Sequence, residues 1–383
     1  MVLFALGFRP FFLLAAALAL VVIPYWAAVF AGGLKLEGYY GPIRWHSHEM
    51  IFGYGVAVIS GFLLTAARNW TGLPTTAGAP LALLSALWLA ARVLPFFHGA
   101  VSPPLIAASD LVFLPALTVA IAIPLVRSGE RRNLIFLPIL AAMFLADLMV
   151  HAEVAGFARG SARPGIFLGL NLIVLLIVIV GGRVIPFFTE RAVAGTAPSR
   201  RGAIELLCPA SVVAFAAAEL LQPGSAITGV LAALAAASNG IRLAGWYTRK
   251  IWRLPLLWVL HVGYGWIVTG FCLKMLAAAG AIAPQFAVHA FTVGGIGVLT
   301  LGMMARVSLG HTGRPLEPAA PVVLSFVLIN AAAFSRGLMP AVFPGWLSAL
   351  VALSAALWAA AFLLFLVIYA PILTRPRVDG RAG

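Results

Sequence analysis

The chain is divided into twelve stretches of mostly apolar residues, near 10–30, 48–68, 79–97, 104–126, 133–155, 166–188, 203–221, 226–245, 254–276, 286–305, 320–338 and 345–371. A helix needs about 20 such residues to cross roughly 30 Å of hydrocarbon. Lipid offers backbone N–H and C=O groups no partner, so only helices or closed barrels span it. These continuous runs lack the two-residue alternation of barrel strands. The expected fold is therefore an all-α integral membrane protein, a bundle of about 12 transmembrane helices forming a single polytopic domain over residues 1–383. A chain with 63% apolar and 9% charged residues lies outside the averages of soluble domains. Met1–Phe30 lacks a small-residue cleavage motif after its apolar stretch and reads as a first span rather than a signal peptide.

Charge sets the expected orientation. With twelve spans, most of the 25 Lys and Arg fall on the side shared by the two termini, which the positive-inside bias assigns to the cytoplasm. Arg131, Arg132, Arg200, Arg201, Arg249 and Lys250 cluster in those connections. The net charge of +14 then reflects topology and anionic lipid, not nucleic acid. Both cysteines, Cys208 and Cys272, lie inside spans, and no Cys-x-x-Cys-His or zinc-ribbon spacing occurs. Covalent c-type haem and iron–sulfur clusters are excluded. No connection is long enough for a soluble domain, so function resides in the bilayer or at its face.

Titratable residues inside spans are costly and mark function by default. In "WHSHEMIFGY" (45–54), His46, His48 and Glu49 begin the second stretch. Asp110 lies near the outer end of the fourth, Asp147, His151 and Glu153 in the outer half of the fifth, and His289 opens the tenth. All converge on the outer face, opposite the Lys/Arg-rich one. His261 lies nearer the middle of the ninth, His98 in an outer loop and His311 in a cytoplasmic loop.

Neutral imidazole ligates haem iron, copper, zinc and non-haem iron, so His46, His48, His151 and His289 are the metal-ligand candidates. Arg44, His261 and Tyr264 join them as cofactor-binding candidates. Glu49, Asp147 and Glu153 are the catalytic candidates, as outer-side proton carriers. No single helix carries a histidine pair spaced for both faces of a haem, so bis-histidine ligation of haem b has to bridge helices. His46 and His48, two residues apart, diverge by about 200° on a regular helix and serve different centres, or one ligates while the other holds Glu49 or a propionate. Alternatively the pair is a polar helix cap, with Trp45 in the interfacial aromatic belt. Asp147 and His151 stack at i, i+4, either as a carboxylate orienting a ligand, as a proton relay or as a structural hydrogen bond. Gly294, Gly295 and Gly297 admit a flat macrocycle or a neighbouring helix. Met303 and Met304 read as packing rather than copper ligands. On the cytoplasmic side Arg183, Glu190, Arg306, His311 and Arg314 either hold propionates or a small anion, or mark the positive boundary.

The blocks "FRPFFLLAA" (8–16), "HSHEMIFGYGVAVISGFLLTAARNWTG" (46–72), "GGRVIPFFTERA" (181–192) and "HAFTVGGIGVLTLGMMARVSLGHTGRPL" (289–316) resemble the NnrS family, in order and over essentially the whole chain. The resemblance implies a bacterial inner-membrane protein with haem, and copper as a further cofactor, tied to denitrification and protection against nitrosative stress. His46, His48, His289 and His311 fall inside its histidine-bearing blocks, Arg9, Arg183, Arg306 and Arg314 inside its arginine-bearing ones.

Two functional classes follow. One is a redox protein in which haem b, with a second haem or a metal ion nearby, binds and turns over nitric oxide or a related nitrogen oxide. Its electrons would come from another protein or a quinol, since the chain has no donor module. The other is a non-catalytic sensor or a carrier of haem, copper or nitrosyl-iron. A transporter should show broken helices at mid-membrane, whereas Gly181, Gly182 and Pro186 lie near a cytoplasmic end.

Overall fold

The computed structural model describes residues 2–381, and among them twelve helices are long and apolar enough to cross a membrane. They are α1 (Phe8–Phe30), α2 (Pro42–Thr71), α3 (Ala79–Phe97), α4 (Pro103–Ser128), α5 (Arg131–Val154), α6 (Ala162–Ala192), α7 (Gly202–Leu221), α8 (Ala226–Trp246), α9 (Pro255–Ala278), α10 (Pro284–His311), α11 (Ala320–Val342) and α12 (Pro344–Thr374). No strand occurs among the described residues.

Two boundaries differ from the hydropathy reading in a way that matters. α2 begins at Pro42, with proline at its first position, so the histidines lie inside a helix rather than at its edge. α10 extends to His311, which is the last helical residue and not part of a loop. Polar ends lower mean hydropathy without breaking a helix, and at the start of α2 proline at N1 is preorganised for it.

Both of these helices contain a π segment, Glu49–Gly55 in α2 and Ala290–Gly297 in α10. Such segments are rare and occur often at functional sites. Each places glycine against neighbouring side chains, one position in α2 and three in α10. In α2 a Cβ at Gly53 would come within 3.0 Å of Leu18 and Glu49, and Trp88 Nε1 donates to the Gly53 carbonyl at 3.1 Å. In α10 the space beside Gly294 is filled by Trp266, beside Gly295 by Ile267 and beside Gly297 by Trp358. In return Gly263 and Gly270 of α9 receive Leu299 and Phe291. Of the two readings of the α10 glycines, close helix packing is the one observed.

The chain divides into two compact units. The first comprises residues 1–169, 307–315 and 366–383. α2 is its most enclosed helix, with 83% of its apolar window buried. The second comprises residues 170–306 and 316–365.

Candidate metal centre

Four helices of the first unit bring titratable side chains to one point. α2 supplies His48 and Glu49, α3 Arg92, α4 Asp110, and α5 Asp147 and His151, and all six are buried. His48 is fully enclosed and Glu49 and Asp147 are 1% exposed. One turn of α5 separates Asp147 from His151, and the step from His48 to Glu49 turns α2 by about 100°. The two α2 residues thus flank the cluster on different sides.

Four atoms converge. His48 Nε2 lies 2.9 Å from Asp147 Oδ1 and 3.4 Å from Asp110 Oδ2, and His151 Nε2 lies 3.7 Å and 3.6 Å from the same two oxygens. One donor atom from each of these four residues lies within 4.8 Å of every other. A tetrahedral ion with ligands at about 2.0–2.1 Å has edges of roughly 3.3 Å, and the four measured edges bracket that value. The Tyr40 hydroxyl stands over one face of this tetrahedron, 3.3 Å from His48 Nε2, 3.4 Å from His151 Nε2 and 3.1 Å from Asp110 Oδ2.

The atoms that face away are held as well. His151 Nδ1 lies 3.0 Å from the Tyr39 hydroxyl, and His48 Nδ1 lies 3.5 Å from Glu49 Oε1. Arg92 donates to the second oxygen of Asp110 and, at 3.1 Å, to Glu49. This is how metal-binding histidines are usually oriented, with the outer nitrogen fixed by a partner and the inner one aimed at the ion. Tyr39 and Tyr40 lie in the connection ahead of α2. Burial, and then the Asp110 carboxylate, push both phenols up, Tyr39 to about 12. Both therefore keep their protons at neutral pH.

Formal charge points the same way. Glu49, Asp110 and Asp147 face Arg92 alone, so with neutral imidazoles two negative charges are uncompensated in a buried site. Burying net charge is costly unless it is paired or coordinates a metal. A divalent ion restores neutrality, as would two protons on the imidazoles. Two imidazoles and two carboxylates suit iron, copper or zinc, and these residues fit such an ion. They do not fit a haem. The His48 and His151 ring centroids are 5.6 Å apart, and Asp110, Asp147 and Tyr40 each approach both rings, leaving no slot for a macrocycle.

Of the residues singled out in the sequence, His48, Glu49, Asp147 and His151 meet here. His46 points elsewhere, as its spacing from His48 requires, and stacks on Trp26 with centroids 4.5 Å apart. Trp45 is 5% exposed and packs against Tyr25 and Phe96, an interior position rather than a headgroup-facing one. Arg44 and Glu153 pair with each other at 3.0 Å near the surface, and Glu153 also accepts from the Ala162 backbone at the start of α6. His261 Nδ1 lies 3.0 Å from Leu257 O, and Tyr264 donates to Asn239 while accepting from Arg242. His289 Nδ1 lies 2.7 Å from Gln285 O. Arg183, Glu190 and Arg306 belong to the second unit, His311 and Arg314 to the first. The Arg306 guanidinium sits 3.8 Å from the Phe188 ring.

Tyr39, Tyr40 and Arg92 were missed, and Asp110 was noted without a role. Arg92 and Asp110 carried a legible signal, being charges inside apolar stretches. Tyr40 carried none beyond its place in "GYYG".

The family model described as NnrS protein matches residues 2–377, nearly the whole chain. No curated protein matches it.

Proposed function

The chain belongs to the NnrS family and is a nitric-oxide-response membrane protein, and from that premise we propose that it is a nitric-oxide-metabolising redox protein built around an ion in the first unit. The observation that carries this reading is the convergence of His48, Asp110, Asp147 and His151 within 4.8 Å of one another, all buried. His48 Nε2, His151 Nε2, Asp110 Oδ2 and Asp147 Oδ1 would hold a single iron or copper ion. When bound, such an ion supplies a site for nitric oxide or a related nitrogen oxide and a path for single electrons.

The chain's own groups do the rest. Glu49 and Tyr39 fix the two rings through Nδ1, and Arg92 holds Asp110 Oδ1 so that Oδ2 would face the ion. The Tyr40 O–H stands over one face of the cluster, where it donates to Asp110 Oδ2 and is the hydrogen-bond donor nearest to a small ligand bound there. Apolar packing of α2 against α1 and α3 keeps bulk water out, which strengthens each of these electrostatic contacts. The protein works in the bacterial inner membrane with both termini cytoplasmic. Electrons come from a partner protein or a quinol. A haem b takes a histidine outside this cluster, and His289 and His261 are the two whose Nδ1 is already held by a backbone carbonyl.

Electron paramagnetic resonance of detergent-purified protein, before and after anaerobic nitric oxide, tests this reading. A metal signal altered by nitric oxide in wild type and missing in His151→Ala supports it. A wild-type metal signal that nitric oxide leaves unchanged overturns it.

A further inference from the structure

We propose that the second unit binds the phosphodiester headgroup of an anionic phospholipid, in a cavity between the start of α7 and the end of α8. The cavity measures about 340 Å³ and is lined by Ser199, Arg201, Ile204, Glu205, Ile241 and Arg242, among others. It opens on the face that carries the Lys/Arg-rich connections. Basic pockets between transmembrane helices on that side suit phospholipid headgroups.

Three features make it a built site rather than a surface dent. Arg201 is the N-cap of α7, and no side chain caps that helix, so its first N–H donors are left to water or a ligand. Independently, Arg242 is 6% exposed, yet its Nε is buried with no hydrogen-bond partner. Its terminal nitrogens are fixed by the Val178 carbonyl, Tyr264 and Glu205. Gly182 of α6 makes room for this guanidinium, since a Cβ there would overlap it. The sequence motif "GGRVIPFFTERA" thus has a local purpose that the metal centre does not use.

The charge balance selects the ligand. Arg201 and Arg242 face one carboxylate, Glu205, leaving a single positive charge. That matches a phosphodiester monoanion, while a phosphate dianion would be repelled by Glu205. Guanidinium groups suit phosphate oxygens. The rim is apolar. Ile241 is 51% exposed and Leu206 73%, and Leu234 lies one heptad from Ile241 and is likewise exposed, so acyl chains have a continuous track along α7 and α8.

The test uses the full-length protein in detergent, with phosphatidylglycerol, phosphatidylcholine and inorganic phosphate as probes. Binding is read by native mass spectrometry and by the shift in Tm. Arg201→Glu is compared with Arg200→Glu, a change one residue away that reverses a charge not lining the cavity. Phosphatidylglycerol should bind and raise Tm more than phosphatidylcholine, and Arg201→Glu should weaken it by roughly tenfold while Arg200→Glu leaves it intact. Equal losses in the two variants, or no preference for phosphatidylglycerol, would overturn the site. Stabilisation by inorganic phosphate equal to that by the lipid would assign the cavity to a free anion and overturn the lipid.

Discussion

In the first unit Glu49 and Asp110 share a single guanidinium, Arg92, and Asp147 meets only the imidazoles, whereas in the second Arg242 is matched by Glu205 and Lys274 by Glu219. Both arrangements put charge inside apolar helices, at a desolvation cost that only close pairing repays. The pairs of the second unit are complete, one acid to one base. The first-unit cluster is short of positive charge and packs two imidazole nitrogens against two carboxylate oxygens. A fold does not gather carboxylates and imidazole nitrogens within hydrogen-bond range of one another unless a proton or a metal ion stands between them.

That contrast can be broken or sharpened by mutation. The largest effect is expected for His151→Ala, which removes one of four ligands and should abolish metal retention after gel filtration while the protein still inserts. Glu219→Gln should cost about 3–5 kcal/mol, because it removes the carboxylate charge that pairs with buried Lys274. Replacing both members, Glu219→Leu with Lys274→Met, should recover most of that loss in a Tm assay. Asp147→Asn should do the opposite of Glu219→Gln. It lowers metal content but raises the Tm of chelator-stripped protein, because it relieves carboxylate repulsion. A lower stripped Tm would contradict the charge argument. Glu49→Gln keeps every ligand and loosens His48 and Arg92, so metal affinity should fall by about 10–100-fold in a competition titration. The smallest change is expected for Tyr39→Phe, which deletes one hydrogen bond to His151 worth about 1 kcal/mol, a loss of several-fold in the same titration.

Much of this was legible in the sequence. Apolar length alone locates all twelve spans, because lipid forces each crossing to be helical. In-span charge flags His48, Glu49, Asp147 and His151. What hydropathy could not show is pairing between helices. Whether Asp147 meets His48 of α2 or only His151 of its own helix depends on packing, and the i, i+4 spacing predicts only the second. His46 and His48 look equivalent in "WHSHEM", yet a helix separates them, one onto Trp26 and the other into the cluster. Arg44 and Glu153 look like site residues by position and are instead partners at the rim. Tyr40 reaches the site from a connection, and no periodicity marks a loop residue. The α10 glycines admitted two readings because a helix and a macrocycle need the same absence of side chain.

Metal quantitation on protein purified from membranes without added metal, wild type beside His48→Ala and His151→Ala, tests the central claim most directly. The account predicts one iron or copper ion per chain in wild type, lost in both variants at unchanged expression. Wild type free of transition metal, or variants that keep theirs, would contradict it and leave the cluster as a site where the imidazoles carry the balancing protons.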